Sequence, residues 1–180
     1  DAPSDLKPHL AGYVERMGFL PNALKIYLHR PHLLKQIIRL NNAVMRHPEN
    51  VLSEEFKYRM SFIISRTHGC RYCCAHHAHT LRTKWGLDDA GLEDVLSLRN
   101  PRDEREAAAW DFAHAASQGP EHVTEEMRRR LGELFSPEEV VEIACTLGFW
   151  AFYNRIHSNL AIPIEEDLLS ESGWVDVPAG

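Results

Sequence analysis

Thr67 to Thr80 concentrates the reactive side chains of this chain. Cys70, Cys73 and Cys74 are three of its four cysteines, and His68, His76, His77 and His79 are four of its eleven histidines. On a helix at about 100° per residue, Cys70, Cys73, Cys74 and His77 fall at i, i+3, i+4 and i+7, on one face. Tyr72, His76 and His79 then point elsewhere, and His76 and His79 read as solvated or facing another subunit. Cys70 opens the helix, where unpaired N–H groups and the macrodipole favour a thiolate. A thiolate is the nucleophile in cysteine chemistry. A second thiol one turn away can resolve a sulfenic acid or a mixed disulfide. His77, one turn after Cys73, can accept or relay the proton.

Other readings of the same residues compete with redox chemistry. His68, Cys70, Cys73 and His77 supply two sulfurs and two nitrogens, a zinc-type donor set. Structural zinc sites usually draw on two segments, however, and no second Cys/His pair with ligand spacing follows. Covalent haem attachment needs His after the second Cys, where this chain has Cys74. No βαβ pattern supports a thioredoxin-like fold. Cys74 and Cys145 read as core residues, since free cysteine is often buried. His68 can donate to the Cys helix or cap the helix before it.

The elements that must hold this cluster read as helices throughout. Pro21 and Pro31 suit helix starts, and Leu33, Leu34, Ile37, Ile38, Leu40 and Val44 follow with roughly helical period. Ser53 caps a helix through about Thr67 that stops at Gly69, and the Cys/His helix runs to Trp85 before Gly86. Asp88 caps a helix to about Leu98, Asn100-Pro101 opens another to about Ser117, and Thr124 caps the next. Ser136-Pro137-Glu138-Glu139 is a capping-box signature. The helix behind it, to about Asn159, is nearly all apolar and is expected to be central. From Ile162 the tail reads as extended. Leu52-Ser53-Glu54-Glu55 and Phe135 to Glu139 echo each other, as a helical repeat or as two well-capped helices. No strand pattern persists.

At 180 residues, 44% apolar and 26% charged, the chain is expected to form one globular domain with a core over about 15–165. The net charge of −6 gives no basic footprint for nucleic acid or an anionic membrane. No apolar run reaches the roughly 20 residues of a membrane span. No signal-peptide pattern is seen, and clustered rather than scattered cysteines fit a reducing compartment. The protein therefore reads as cytoplasmic.

Ser65 to His77, with its Cys-x-x-Cys-x-x-x-His core, resembles the signature of the alkyl hydroperoxidase D / carboxymuconolactone decarboxylase superfamily. The likeness is greatest to its peroxidase-related branch. Gly18-Phe19-Leu20-Pro21-Asn22, Leu52-Ser53 and Phe152-Tyr153-Asn154-Arg155 extend the resemblance over most of residues 15–165. It implies an all-α bundle of about seven to nine helices that assembles as a homo-oligomer, as a dimer, trimer or hexamer. It implies a peroxide-reducing thiol enzyme without metal or organic cofactor, served by a thiol reductant. By this analogy Cys73 attacks the O–O bond, Cys70 resolves to a Cys70–Cys73 disulfide, and His77 relays protons. That order inverts the dipole argument, which favours Cys70 as the stronger thiolate. The chain departs from the pattern twice. Tyr58 stands where the relay glutamate is expected, twelve residues before Cys70, and Tyr72 replaces a histidine just before Cys73. A phenol with a pKa near 10 is a poor base, so Glu55 and Glu142 are the alternative carboxylates. A decarboxylase-like enzyme on the same scaffold and a non-catalytic zinc-binding or redox-sensing module remain as rival functions.

Overall fold

The computed structural model describes residues 3–169 and contains helices but no strand among them. In chain order the helices are α1 (Lys7–Met17), α2 (Asn22–Tyr27), α3 (Pro31–Arg46), α4 (Glu54–Thr67), α5 (Arg71–Trp85), α6 (Asp89–Leu96), α7 (Glu104–Gln118), α8 (Glu125–Leu134), α9 (Pro137–Asn159) and α10 (Glu166–Leu169). A 3₁₀ turn at Pro120–His122 joins α7 to α8. Eight of the ten run eight residues or more, within the expected seven to nine; α2 and α10 are the short additions. No helix among the described residues is long and apolar enough to cross a membrane.

Local chemistry sets the helix ends much as the sequence predicts. Ser53, Asp88, Thr124 and Ser136 each accept a backbone N–H in the first turn of the helix they cap, and Ser136 with Glu139 completes the capping box. The start of α7 differs. Asp103 caps it, accepting from the Glu106 amide, so the helix begins three residues after Pro101. An aspartate cap satisfies an orphan amide that Pro101 cannot.

The centre of the bundle is α4, not α9. Helix α4 packs against α5, α7 and α9 and buries eight of its fourteen residues. Helix α9 instead leaves Val141 61% and Phe152 47% exposed, and Cys145, expected in the core, is exposed as well. On α3, Leu34, Ile38 and Met45 turn inward while Leu33 and Leu40 face out. The reason α4 looks less apolar than it is buried lies in three buried polar residues, Lys57, Ser61 and Ser65, each of which finds a partner inside. Ser61 Oγ donates to the Lys57 carbonyl at 2.6 Å, and Ser65 Oγ to Asn154 Oδ1 at 3.0 Å. Lys57 is wholly buried, with its ammonium 2.6 Å from Glu142 Oε2 and 2.9 Å from the Val44 carbonyl.

This pair assigns Glu142 a structural role instead of the relay role considered for it. Its other contacts are the Val51 and Leu52 amides, at 2.7 and 3.2 Å. Burial alone would raise its pKa, but the Lys57 ammonium and the two amides outweigh that and hold the carboxyl below its usual range. Removing one partner of such a pair strands the other in the core. Glu142→Ala is expected to lower unfolding free energy by about 3 kcal/mol, near the low end because Glu142 stays 17% exposed. A urea denaturation midpoint reads this loss, and the paired replacement Lys57→Met with Glu142→Leu is expected to recover most of it.

Candidate active site

The turn between α4 and α5 builds the site. Gly69 takes a left-handed φ of +68°, a conformation that L side chains resist. Its amide donates to the Arg66 carbonyl, and the Cys70 amide donates to Ser65, which is the paired pattern of a Schellman end. Cys70 therefore closes α4 and caps α5 at the same time. Its Sγ accepts from the Cys73 amide at 3.3 Å. The thiol and amide of Cys73, with His157 and Ser158 nearby, overcome the penalty of burial and lower the Cys70 pKa to about 5. A thiolate is favoured at this position, as the helix-start argument predicts.

Cys73 behaves in the opposite sense. Burial pushes its thiol pKa up, and a hydrogen bond to the Cys70 sulfur adds to the effect. Its Sγ lies 3.2 Å from Nδ1 of His157, near the end of α9. Cys70, Cys73 and His157 thus form a buried triad with all donor atoms within 4.8 Å of one another. The pair shares one negative charge and one proton, and its titration belongs to both sulfurs. As a metal set the triad offers two sulfurs and one nitrogen, short of the four ligands of a structural zinc site.

A cleft of about 380 Å³ opens onto Cys73, within the size range of small-molecule sites. Its wall is aromatic, with Tyr27, Tyr58, Tyr72, Trp150 and Tyr153, and it includes His77 and His157. His77 does share this cleft with Cys73. It stands between Trp150 and Tyr58, at centroid distances of 4.2 and 5.8 Å, rather than in the sulfur triad. Burial holds it neutral, with its pKa well below the ordinary value. Among the described residues, both His77 ring nitrogens, His157 Nε2, Trp150 Nε1 and the Tyr27 hydroxyl are buried without a protein hydrogen-bond partner. All four residues line this cleft. Such groups are costly to leave unmatched, so the wall is suited to a flat ligand with polar edges.

The other expected residues divide. Tyr72 is turned inward, not away. Its hydroxyl accepts from the Ala23 amide at 3.1 Å and donates to Glu165 at 3.0 Å. Burial, with the Glu165 charge beside it, raises its pKa above the ordinary phenol value. His76 also belongs to the site, with Nε2 2.8 Å from the second Glu165 oxygen and its ring 4.4 Å from that of Tyr72. The expectation that His76 and His79 face away from the chemistry is thus corrected, since both line the cleft. Tyr58 lines it too, its hydroxyl bonded to Arg46, and burial keeps it protonated. Glu55 is remote, held by Arg59 and Arg102. His68 ends α4 and meets the Asn154 amide at 3.0 Å, so the zinc set drawn from His68 and His77 does not come together. Cys74 is core, and burial raises its pKa.

Two residues escape the sequence reading. His157 is a lone histidine on the buried side of α9, one turn after Tyr153, and that placement is the signal that could have found it. Glu165 lies in the tail expected to be extended; residues 162–165 are irregular, and α10 follows. Burial would raise its pKa, but hydrogen bonds from His76 and the Asn22 amide prevail and lower it to about 2.

No family model matches the sequence, and no curated protein does. Solved structures do. A cysteine-to-alanine variant of the debrominase Bmp8 in complex with 2,3,4-tribromopyrrole is 27% identical, with a TM-score of 0.78 over 93% of this chain and 91% of that one. Peroxidase-related proteins of uncharacterised function share the fold at lower identity. The one from Ralstonia eutropha, described as having an alkylhydroperoxidase core, is 22% identical with a TM-score of 0.82 over 93% of this chain and 88% of that one. The one from Silicibacter is 24% identical with a TM-score of 0.81, over 92% and 87%. By its all-α architecture and these structural relatives, the chain shares the fold of the debrominase Bmp8 and of the alkylhydroperoxidase-like, peroxidase-related proteins.

Proposed function

We propose that the protein is a two-electron thiol reductase in which Cys73 attacks an electrophilic small molecule and Cys70 resolves the product. The observation that carries this reading is that Cys73, within reach of both Cys70 and His157, is the cysteine of the pair that lines the aromatic cleft. Geometry precedes acidity in choosing the attacking group. Cys70 is the better thiolate, but it is absent from that wall. His157 at 3.2 Å is placed to take the Cys73 proton, which leaves a thiolate on the sulfur facing the substrate and an imidazolium beside it.

With a hydroperoxide as substrate, Cys73 sulfur takes the terminal oxygen, the O–O bond breaks, and the protonated alkoxide leaves as an alcohol. The Cys70 thiolate then attacks the sulfenic acid, forming the Cys70–Cys73 disulfide and expelling hydroxide, which takes from solvent the proton that Cys70 released on ionising and leaves as water. The sum is two thiols and one hydroperoxide giving one disulfide, one alcohol and one water. The pair itself carries the electrons, so this chemistry calls for no other cofactor. Neutral His77 in the cleft wall is suited to donate a hydrogen bond to the leaving oxygen.

The aromatic wall and the likeness to a debrominase favour a second substrate class on the same pair, a halogenated aromatic ring. There two thiols and one carbon–bromine bond would give one disulfide, one carbon–hydrogen bond and hydrogen bromide. A single-turnover assay on the reduced protein tests both. Thiol counting by mass spectrometry is expected to show loss of two thiols with cumene hydroperoxide or with a brominated pyrrole, the latter with one bromide released. Cys73→Ser is expected to abolish the loss. Cys70→Ser is expected to stop at a Cys73 sulfenic acid that dimedone traps. Reaction that survives in Cys73→Ser but not in Cys70→Ser would reverse the two roles, and an unchanged thiol count with both substrates would refute the reading.

A further inference from the structure

The two sulfurs of the pair line different clefts. Cys73 lines the aromatic cleft and not the second one; Cys70 lines a second cleft of about 430 Å³ and not the first. Tyr72 and His157 line both and so divide them. The outer wall of the second cleft is the segment after α9, with Ile162, Pro163 and Ile164, closed by Leu169 of α10. Glu165 ties this strap down through Tyr72, His76 and the Asn22 amide, and the Asn22 side chain holds the Pro163 carbonyl at 3.0 Å. The partition is therefore built from Tyr72 and from His157, whose Nδ1 lies 3.2 Å from the Cys73 sulfur.

We infer that the second cleft is the entry for the electron donor, a low-molecular-weight thiol that reduces the disulfide by attacking Cys70. This rests on the redox reading of the pair given above. A donor thiolate in this cleft attacks Cys70 Sγ, the Cys70–Cys73 bond breaks, and Cys73 departs as a thiolate that His157 protonates. A second donor thiolate then attacks the donor's own sulfur in the mixed disulfide. That releases Cys70 as a thiolate and the donor as its disulfide, so two donor thiols are oxidised for each protein disulfide reduced. Leaving-group acidity alone would direct attack to Cys73, so that the more acidic Cys70 leaves. Access opposes that, because the Cys73 face belongs to the substrate cleft, and His157 at 3.2 Å compensates by protonating the departing sulfur. The consequence is that substrate and reductant need not compete for one opening.

The test isolates reduction from the substrate question by forming the disulfide with diamide and following its reduction by glutathione in stopped flow. Leu169→Trp is expected to slow reduction by about tenfold or more, and by more with glutathione than with the smaller mercaptoethanol. Ile164→Phe fills the same cleft from another residue and is expected to act in the same direction, which covers the case in which one variant fails to fold. The inference is overturned if both variants are reduced at the wild-type rate, or if Thr83→Trp in the aromatic cleft is the one that slows glutathione. Failure of diamide to form a Cys70–Cys73 disulfide would overturn both this inference and the redox reading. Failure of hydroperoxide and brominated pyrrole to oxidise the pair, with cleft-dependent reduction intact, would remove only the proposed substrates.

Discussion

The site depends on one backbone event, the left-handed turn at Gly69. Because α4 ends there with its last carbonyls satisfied, the next residue can serve as the cap of α5. A cysteine at that position meets the Cys73 thiol and accepts from the Cys73 amide, and both stabilise its thiolate. A β-carbon at residue 69 would meet no neighbouring atom, so the demand for glycine comes from φ and not from space. The rest of the cysteine–histidine arrangement follows from where this turn aims α5. Cys73, one turn on, is carried to His157, and His77, a further turn on, reaches the aromatic wall.

A second constraint is the burial of polar groups around the pair. Glu165 accepts from Tyr72, His76 and the Asn22 amide, and so joins α2, α5 and the segment after α9 in one network. Partly satisfied networks of this kind are costly and fully satisfied ones rigidify. Here the satisfied members hold the partition, and the unmatched ones among the described residues, Trp110 Nε1 apart, lie on His77, His157, Trp150 and Tyr27 of one cleft. Fixed structure and ligand-directed polarity thus sit side by side. The tyrosines at 58 and 72, which replace expected relay groups, are part of the walls and remain protonated.

The sequence makes the architecture and the cysteine pair legible, because both are local. Caps such as Ser53, Thr124 and Ser136 act within one turn, and the Cys-x-x-Cys spacing acts within one helix. What it conceals is long-range. His157 lies 84 residues from Cys73, and Glu165 lies 93 from Tyr72, and neither spacing carries a periodic signal. Helical phase alone also misassigned Tyr72 and His76. It places side chains around α5 but does not say that α2 and the strap close over the side opposite the core. The apolar content of α9 similarly overstated its burial. Lys57, Ser61 and Ser65 disguised α4, since a buried lysine is recognisable only once Glu142 is known to meet it.

The central claim is that the turn at Gly69 makes Cys70 the resting thiolate of a coupled pair. The direct measurement is a pH titration of thiolate absorbance near 240 nm on the reduced protein. The account predicts one thiolate with a midpoint near pH 5, absent in Cys70→Ser, with Cys73 contributing no second thiolate at neutral pH. Titration of every cysteine at or above the ordinary range of about 8.5, or an acidic thiolate that survives Cys70→Ser, would contradict it.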